Sequence, residues 1–220
     1  MTALAQAAWP ATGPATTGSA AVRGPGRPRT AALDVRIIEA TLALIDAGEE
    51  ITVARVVSRS GVSRAALYRR WPSMHALVAR ALDVGRTLPP AYPERPDQGE
   101  LLELILDAAG VGSGGATPTA ERYPEARFRQ RMRLVMTDRD LQRDYWAYVA
   151  ERRAPTEDLL RSAVARGLLR ADLDVEACWD AIAGVAYYQA AVRGDSMHDP
   201  AAVRRVRAAI ETIWRGMAAG

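Results

Sequence analysis

The stretch from Thr52 to Trp71, TVARVVSRSGVSRAALYRRW, constrains the fold more than any other part of the chain, because two short apolar helical patterns meet at a glycine within it. Val53, Val56 and Val57 supply the buried face of the first pattern, and Thr52 precedes it as an N-cap whose hydroxyl satisfies an orphan amide. Gly61 can take the left-handed conformation that ends one helix within a few residues of the next, and Val62 fills the wedge between them. Ser63 caps the second pattern, Arg64 to Trp71. Leu67 and Trp71 point inward there, which turns Arg64, Ala65, Tyr68 and Arg69 outward as a face with donors and little bulk. Such a face fits a major groove. Pro72 disfavours helical geometry at Trp71, and Ser73 can open a new helix. The stretch reads as a helix-turn-helix whose candidate DNA contacts are Thr52, Ser63, Arg64, Ala65, Tyr68 and Arg69.

The segment GVSRAALYRRWPS, preceded by ITVARVVSRS and by a helix of about four turns, resembles the DNA-binding domain of the TetR family of bacterial transcriptional repressors. Leu67-Tyr68 followed by the aromatic Trp71, Pro72 and Ser73 carries the likeness. Met74 is a departure, since members usually have a lysine directly after this serine. The resemblance implies an all-α fold with a three-helix helix-turn-helix domain over 30–75 and a helical ligand-binding and dimerisation domain over 76–220. It further implies a one-component regulator, by family tendency a repressor, that binds a palindromic operator as a homodimer and is released by a small-molecule effector. A fourth helix, from Ser73 to about Arg86 with Leu77, Val78, Ala81 and Leu82 inward, would carry that signal to the DNA heads.

The distribution of charge agrees with a nucleic-acid partner for the front of the chain alone. Residues 21–86 hold eleven arginines against six acids, net +5, whereas residues 87–220 hold eighteen against twenty. Phosphate is the partner that such a basic segment favours. All 29 basic residues are arginine, and 49% of the 220 residues are apolar, enough for a sizeable core. The single cysteine, Cys178, excludes an intramolecular disulfide, and the two lone histidines offer no zinc spacing, so a cytoplasmic protein without metal or cofactor is expected.

The first 29 residues, rich in Ala, Thr, Gly and Pro, read as a disordered arm with a basic end. Pro10 and Pro14 interrupt its apolar run, no basic signal-like region precedes it, and no later segment is long enough to span a bilayer. Its end, Gly26-Arg27-Pro28-Arg29, resembles the minor-groove hook of architectural DNA-binding proteins, which makes Arg27 and Arg29 candidate DNA contacts. A solvated tail is the other reading.

A first helix is expected from about Ala31 to Ala47, with Val35, Ile38, Leu42 and Ile45 inward and Arg36 on the surface. Four prolines make 87–99 a connector, Leu101 to Ala109 reads as a short apolar helix, and 110–124 as a long loop. A helix beginning at Pro124 presents Phe128, Met132 and Val135, and the next, from near Asp138, should break or kink at Pro155. The last two helices run from about Asp174 to Arg193 and from about Pro200 to Met217. Their stripes Ala177, Ala181 and Gly184, and Val206, Ile210 and Ile213, are the candidate dimer contacts, small residues permitting close helix approach.

Met132, Met136, Tyr145, Trp146, Tyr148, Tyr187, Tyr188 and Gln189 combine adaptable thioethers, aromatics and polar tips, the mixture that binds large amphipathic molecules. Residue by residue, core or dimer packing explains them equally well; the resemblance raises them to candidate effector contacts. Catalysis finds no foothold. Cys178 has no basic neighbour to lower its pKa, His75 and His198 lie in unrelated segments, and no phosphate-binding Gly-rich loop occurs. Two other non-enzyme readings stand beside the regulator: an architectural DNA binder without ligand control, and a helical scaffold with a vestigial DNA head.

Overall fold

The computed structural model describes residues 29–86, 91–112 and 124–219, and among these capping and apolar spacing resolve into nine α-helices. Among these residues there is no strand, only an isolated bridge between Leu169 and Ala218. The helices are α1 (Arg29–Asp46), α2 (Val53–Ser60), α3 (Arg64–Arg70), α4 (Met74–Asp83), α5 (Gln98–Ala108), α6 (Glu125–Thr137), α7 (Arg139–Ala165), α8 (Val175–Tyr187) and α9 (Pro200–Met217). Among the described residues they pack as two compact units, the first comprising residues up to Val84 with Gln130–Trp146 and the second residues from Gly85 to Arg129 with those from Ala147 onward. The expected arm 1–29 and its hook, including Arg27, lie outside the described residues, except that Arg29 opens α1 instead of ending an extended hook. Most of the expected 110–124 loop lies outside them as well.

In the first unit, α1 buries Ile37, Ala40, Thr41, Leu44 and Ile45 against α2 and α4. The expected stripe was rotated from this one, and Val35 is 51% exposed. The core face contains a threonine, which an apolar count passes over; its Oγ1 donates to the Ile37 carbonyl at 2.8 Å, so its burial leaves no orphan. Opposite it, α4 contributes Leu77, Val78, Ala79, Ala81 and Leu82, all fully buried.

The turn between α2 and α3 is built by the residues that marked it. Thr52 accepts from the Arg55 amide and Ser63 from the Ala66 amide, while Gly61 sits at φ 64° with its N–H on the Val57 carbonyl. Arg36 is exposed, as expected, and also donates from Nη2 to the Ser60 carbonyl at 2.6 Å, covering the end of α2. A Cβ on Gly61 would lie 2.9 Å from that nitrogen. Gly61→Ala is therefore expected to cost about 1–2 kcal/mol for the left-handed residue and about another 1 kcal/mol for the displaced hydrogen bond. Urea denaturation checks this; an unchanged midpoint would show that neither the positive φ nor the Arg36 contact is required.

The second unit closes on one core. Leu101, Ile105 and Leu106 of α5 meet Leu159, Leu160 and Ala163 of α7, Trp179 and Ile182 of α8, and Val206, Ile210, Trp214 and Met217 of α9. The start of α5 falls at Gln98, inside the expected connector, because Asp97 and Glu100 form a reciprocal capping box with both bonds at 2.8 Å. Pro155 does not break α7, which runs 27 residues through it. The cost of a mid-helix proline, about 3 kcal/mol, is outweighed by Leu159, Leu160 and Ala163 packing beyond it. Helix α8 passes into a π-helical segment, Tyr188–Arg193, where one continuous α-helix was expected; Gly194 ends it at φ 72°.

Candidate nucleic-acid interface and regulatory residues

Helix α3 owes its exposed basic face to two anchors on its other side. Ala66 and Leu67 are buried, and Arg70, which the sequence left beside Arg69 without a role, pairs through Nε with Asp34 of α1 at 2.9 Å. Its Nη1 also donates to the Ala66 carbonyl. The tandem arginines thus separate: Arg70 fixes the helix to α1 and Arg69 projects. Arg64, Ala65 and Arg69 are exposed, and Tyr68 is half-buried. Trp71 is extended at φ −120°, ψ 121°, as a residue before proline prefers, so α3 stops one residue short of it.

Ser63 and Thr52 spend their oxygens on capping, yet each hydroxyl keeps its proton and can still donate to a phosphate. Ser73 caps α4 in the same way, accepting from the Ala76 amide at 3.0 Å, and Met74 follows half-buried in the first turn. On α2, Arg55 and Arg59 share Glu49, at 3.1 and 3.2 Å. His75 of α4 meets Asp138 at 3.1 Å, and the other oxygen of that carboxylate caps α7 through the Asp140 and Leu141 amides.

The eight candidate effector contacts divide between the units. Met132, Met136, Tyr145 and Trp146 belong to the first, and Tyr148, Tyr187, Tyr188 and Gln189 to the second. Tyr145 is buried with its hydroxyl accepting from Arg131 Nη1 at 3.2 Å and its ring 5.8 Å from that guanidinium, a core arrangement. Met132 is half-buried, whereas Met136 and Trp146 are exposed. In the second unit Gln189 is buried in the π-helical segment and accepts from Arg205 Nε, while Tyr188 is exposed. Two residues outside the expected set stand beside Tyr187. The Phe128 ring lies 5.7 Å from its ring at 43°, and Arg152 lies near enough to interact with it electrostatically. Burial pulls the Arg152 pKa below the usual guanidinium range, and Tyr187 acts in the opposite direction. At α6's first turn, Glu125 accepts from Ser196 Oγ at 2.6 Å and the Met197 amide at 2.9 Å. These bonds, the Ser196 one foremost, lower its pKa.

The candidate dimer contacts also separate. Ala177, Ala181 and Gly184 are exposed on α8. Val206 and Ile210 are wholly buried in the core of the second unit, which corrects their expected place, while Ile213 packs against that core only partly buried. Beside Arg204, Arg205 and Arg215, α9 leaves exposed the small residues Ala208, Thr212 and Gly216. Among the described residues no helix is long and apolar enough to cross a membrane.

Comparison with known proteins places this geometry. Residues 37–81 match the family model described as bacterial regulatory proteins, tetR family, and residues 114–210 match a tetracyclin repressor-like C-terminal domain. The chain is 25% identical over 182 residues to the HTH-type transcriptional regulator YdeS of Bacillus subtilis strain 168, covering 79% of this chain and 86% of that protein. A TetR transcriptional regulator from Agrobacterium tumefaciens shares the fold at a TM-score of 0.60 and 17% identity, over 85% of this chain and 94% of that one. A putative TetR-family regulator from Mesorhizobium loti does so at 0.56 and 17%, over 87% and 100%.

Proposed function

The chain belongs to the TetR family of transcriptional regulators, and from this premise we propose that it is a cytoplasmic repressor that binds a palindromic operator as a homodimer and leaves it when a small molecule binds. Its helix-turn-helix makes it a DNA-binding regulator and not an enzyme. The observation that carries the finer reading is the exposed Arg64, Ala65 and Arg69 face of α3, held rigid by buried Leu67 and the Arg70–Asp34 pair. Arginines there can read guanine edges bidentately. Thr52, Ser63 and Tyr68 are assigned to phosphates, with Arg27 of the arm and Arg29 at the start of α1 reaching a flanking minor groove. Exposed small residues on α8 and α9 support a pairing of these helices with their copies in a second subunit. Effector control rests on the aromatic residues of the second unit, Tyr148, Tyr187 and Tyr188 with Gln189.

Selection of duplexes from random-sequence DNA tests this reading, with an inverted repeat as the expected product. Recovery of single half-sites, or of no sequence preference, would remove the palindromic dimer. Position 74 gives a second test. A lysine at the start of α4 can neutralise a phosphate, so Met74→Lys is expected to steepen the logarithmic salt dependence by about 0.9 per subunit engaged. Base preference should stay as it is, because a phosphate contact reads no sequence. An unchanged slope in binding isotherms over a salt series would place position 74 away from the DNA backbone.

A further inference from the structure

We propose that Arg55 and Arg59 of α2, held side by side by Glu49, form a clamp for the DNA phosphate backbone beside the base-reading face of α3. The clamp rests on the DNA-binding role of the helix-turn-helix and not on the palindromic or effector reading. Val53, Val56 and Ser60 are buried, which turns Arg55 and Arg59 outward, four residues apart on one face of the helix. Thr52, three residues before Arg55, leads the same stripe. In a helix-turn-helix the first helix crosses the backbone while the second enters the groove, so the outward charges of α2 are placed for phosphate.

Two guanidiniums at this spacing repel each other. Glu49 relieves the repulsion by giving one oxygen to each, Oε2 to Arg55 Nη1 at 3.1 Å and Oε1 to Arg59 Nη1 at 3.2 Å. Two cations on one anion leave a net positive charge. Both carboxylate oxygens are occupied, whereas among the described residues neither guanidinium has a further partner. The remaining N–H groups can donate to an oxyanion, and a guanidinium matches a phosphate through two parallel bonds. The two side chains are 47% and 45% exposed, so a phosphate can reach them. The neighbouring arginines have other tasks: Arg36 covers the end of α2, Arg70 holds α3 to Asp34, and Arg64 and Arg69 project from α3.

Arg55→Gln combined with Arg59→Gln tests the clamp, by binding isotherms of the full chain over a salt series on the selected duplex and on a scrambled one. Affinity for both duplexes should fall about 10-fold or more through loss of charge-assisted contacts. The logarithmic salt slope should become shallower by about 0.9 or more per subunit engaged. Preference between the duplexes should hold, because phosphate contacts read no sequence. The melting temperature should hold as well, since exposed ion pairs stabilise little. Arg55→Lys combined with Arg59→Lys keeps both charges without the planar fork, and is expected to retain the slope while weakening both duplexes about threefold or more. An unchanged slope for the glutamine pair, a loss confined to the selected duplex, or a lysine pair that binds as tightly as the native chain would each overturn the clamp, the last by assigning the effect to long-range charge alone. Because the slope is read on the scrambled duplex too, this outcome is independent of whether the operator is a palindrome.

Discussion

Replacing Arg64 and Arg69 by alanine is expected to abolish most of the protein's preference for its operator, each lost base contact costing about 1–3 kcal/mol, or roughly 5- to 150-fold in affinity. Both side chains are exposed on α3 and bear on none of its anchors, so the helix should fold unchanged without them. The double variant should retain non-specific, salt-sensitive binding while losing discrimination, because phosphate contacts position and base contacts specify. Arg70→Ala should behave differently. It removes the pair with Asp34 and so loosens the placement of α3 as a whole, lowering affinity for all sequences together. Competition between the selected duplex and a scrambled one separates the two patterns. If Arg64→Ala and Arg69→Ala both leave affinity and base preference intact, the reading face lies elsewhere.

The helix-turn-helix was legible because its signals are local. Thr52, Gly61, Ser63 and Ser73 each act within three or four residues, and each occupies its expected cap; Pro72 likewise acts on the residue before it. What failed depends on partners distant in sequence. The stripe of α1 was misplaced because periodicity fixes a spacing, and two stripes offset by a residue share it; contact with α2 and α4 chose the one containing Thr41. The bonds of Arg36, exposed as expected, and of Arg70 were not legible because the carbonyl of Ser60 and the carboxylate of Asp34 meet them only after folding. The capping box at Asp97 and Glu100 was a local signal passed over under the weight of four nearby prolines.

The same reasoning explains α9. Its residues offer two stripes to two possible neighbours, large aliphatics at Val206 and Ile210 and small residues at Ala208, Thr212 and Gly216. Assigning the aliphatics to a second subunit overlooked that the subunit's own core must be filled before any interface forms. Burial stabilises by about 25 cal/mol per Å² of apolar surface, which draws the larger side chains into the core. The small residues remain outside, where they offer little transfer energy but permit close helix approach.

Gly184→Arg is expected to convert the protein to a monomer without unfolding it. Within one subunit a Cβ at Gly184 would meet nothing within 4 Å, and its backbone is helical, so a side chain there is accommodated. Arginine also has a better helix propensity than glycine, by about 0.8 kcal/mol, and the monomer's melting temperature should hold or rise. If Ala177, Ala181 and Gly184 instead face a copy of themselves, the same side chain separates two helices that must approach closely and sets like charges against each other across the symmetry axis. Operator binding should then fall by about 100-fold or more, since the second half-site is no longer held at the millimolar effective concentration that a linked partner supplies. Ile210→Ala provides the contrast. With Ile210 wholly buried, its loss should cost about 2–5 kcal/mol of subunit stability without selectively weakening association. Sedimentation equilibrium with thermal melting distinguishes these effects. A Gly184→Arg variant that remains dimeric at micromolar concentration and binds the selected duplex as before would move the seam off the small-residue face of α8.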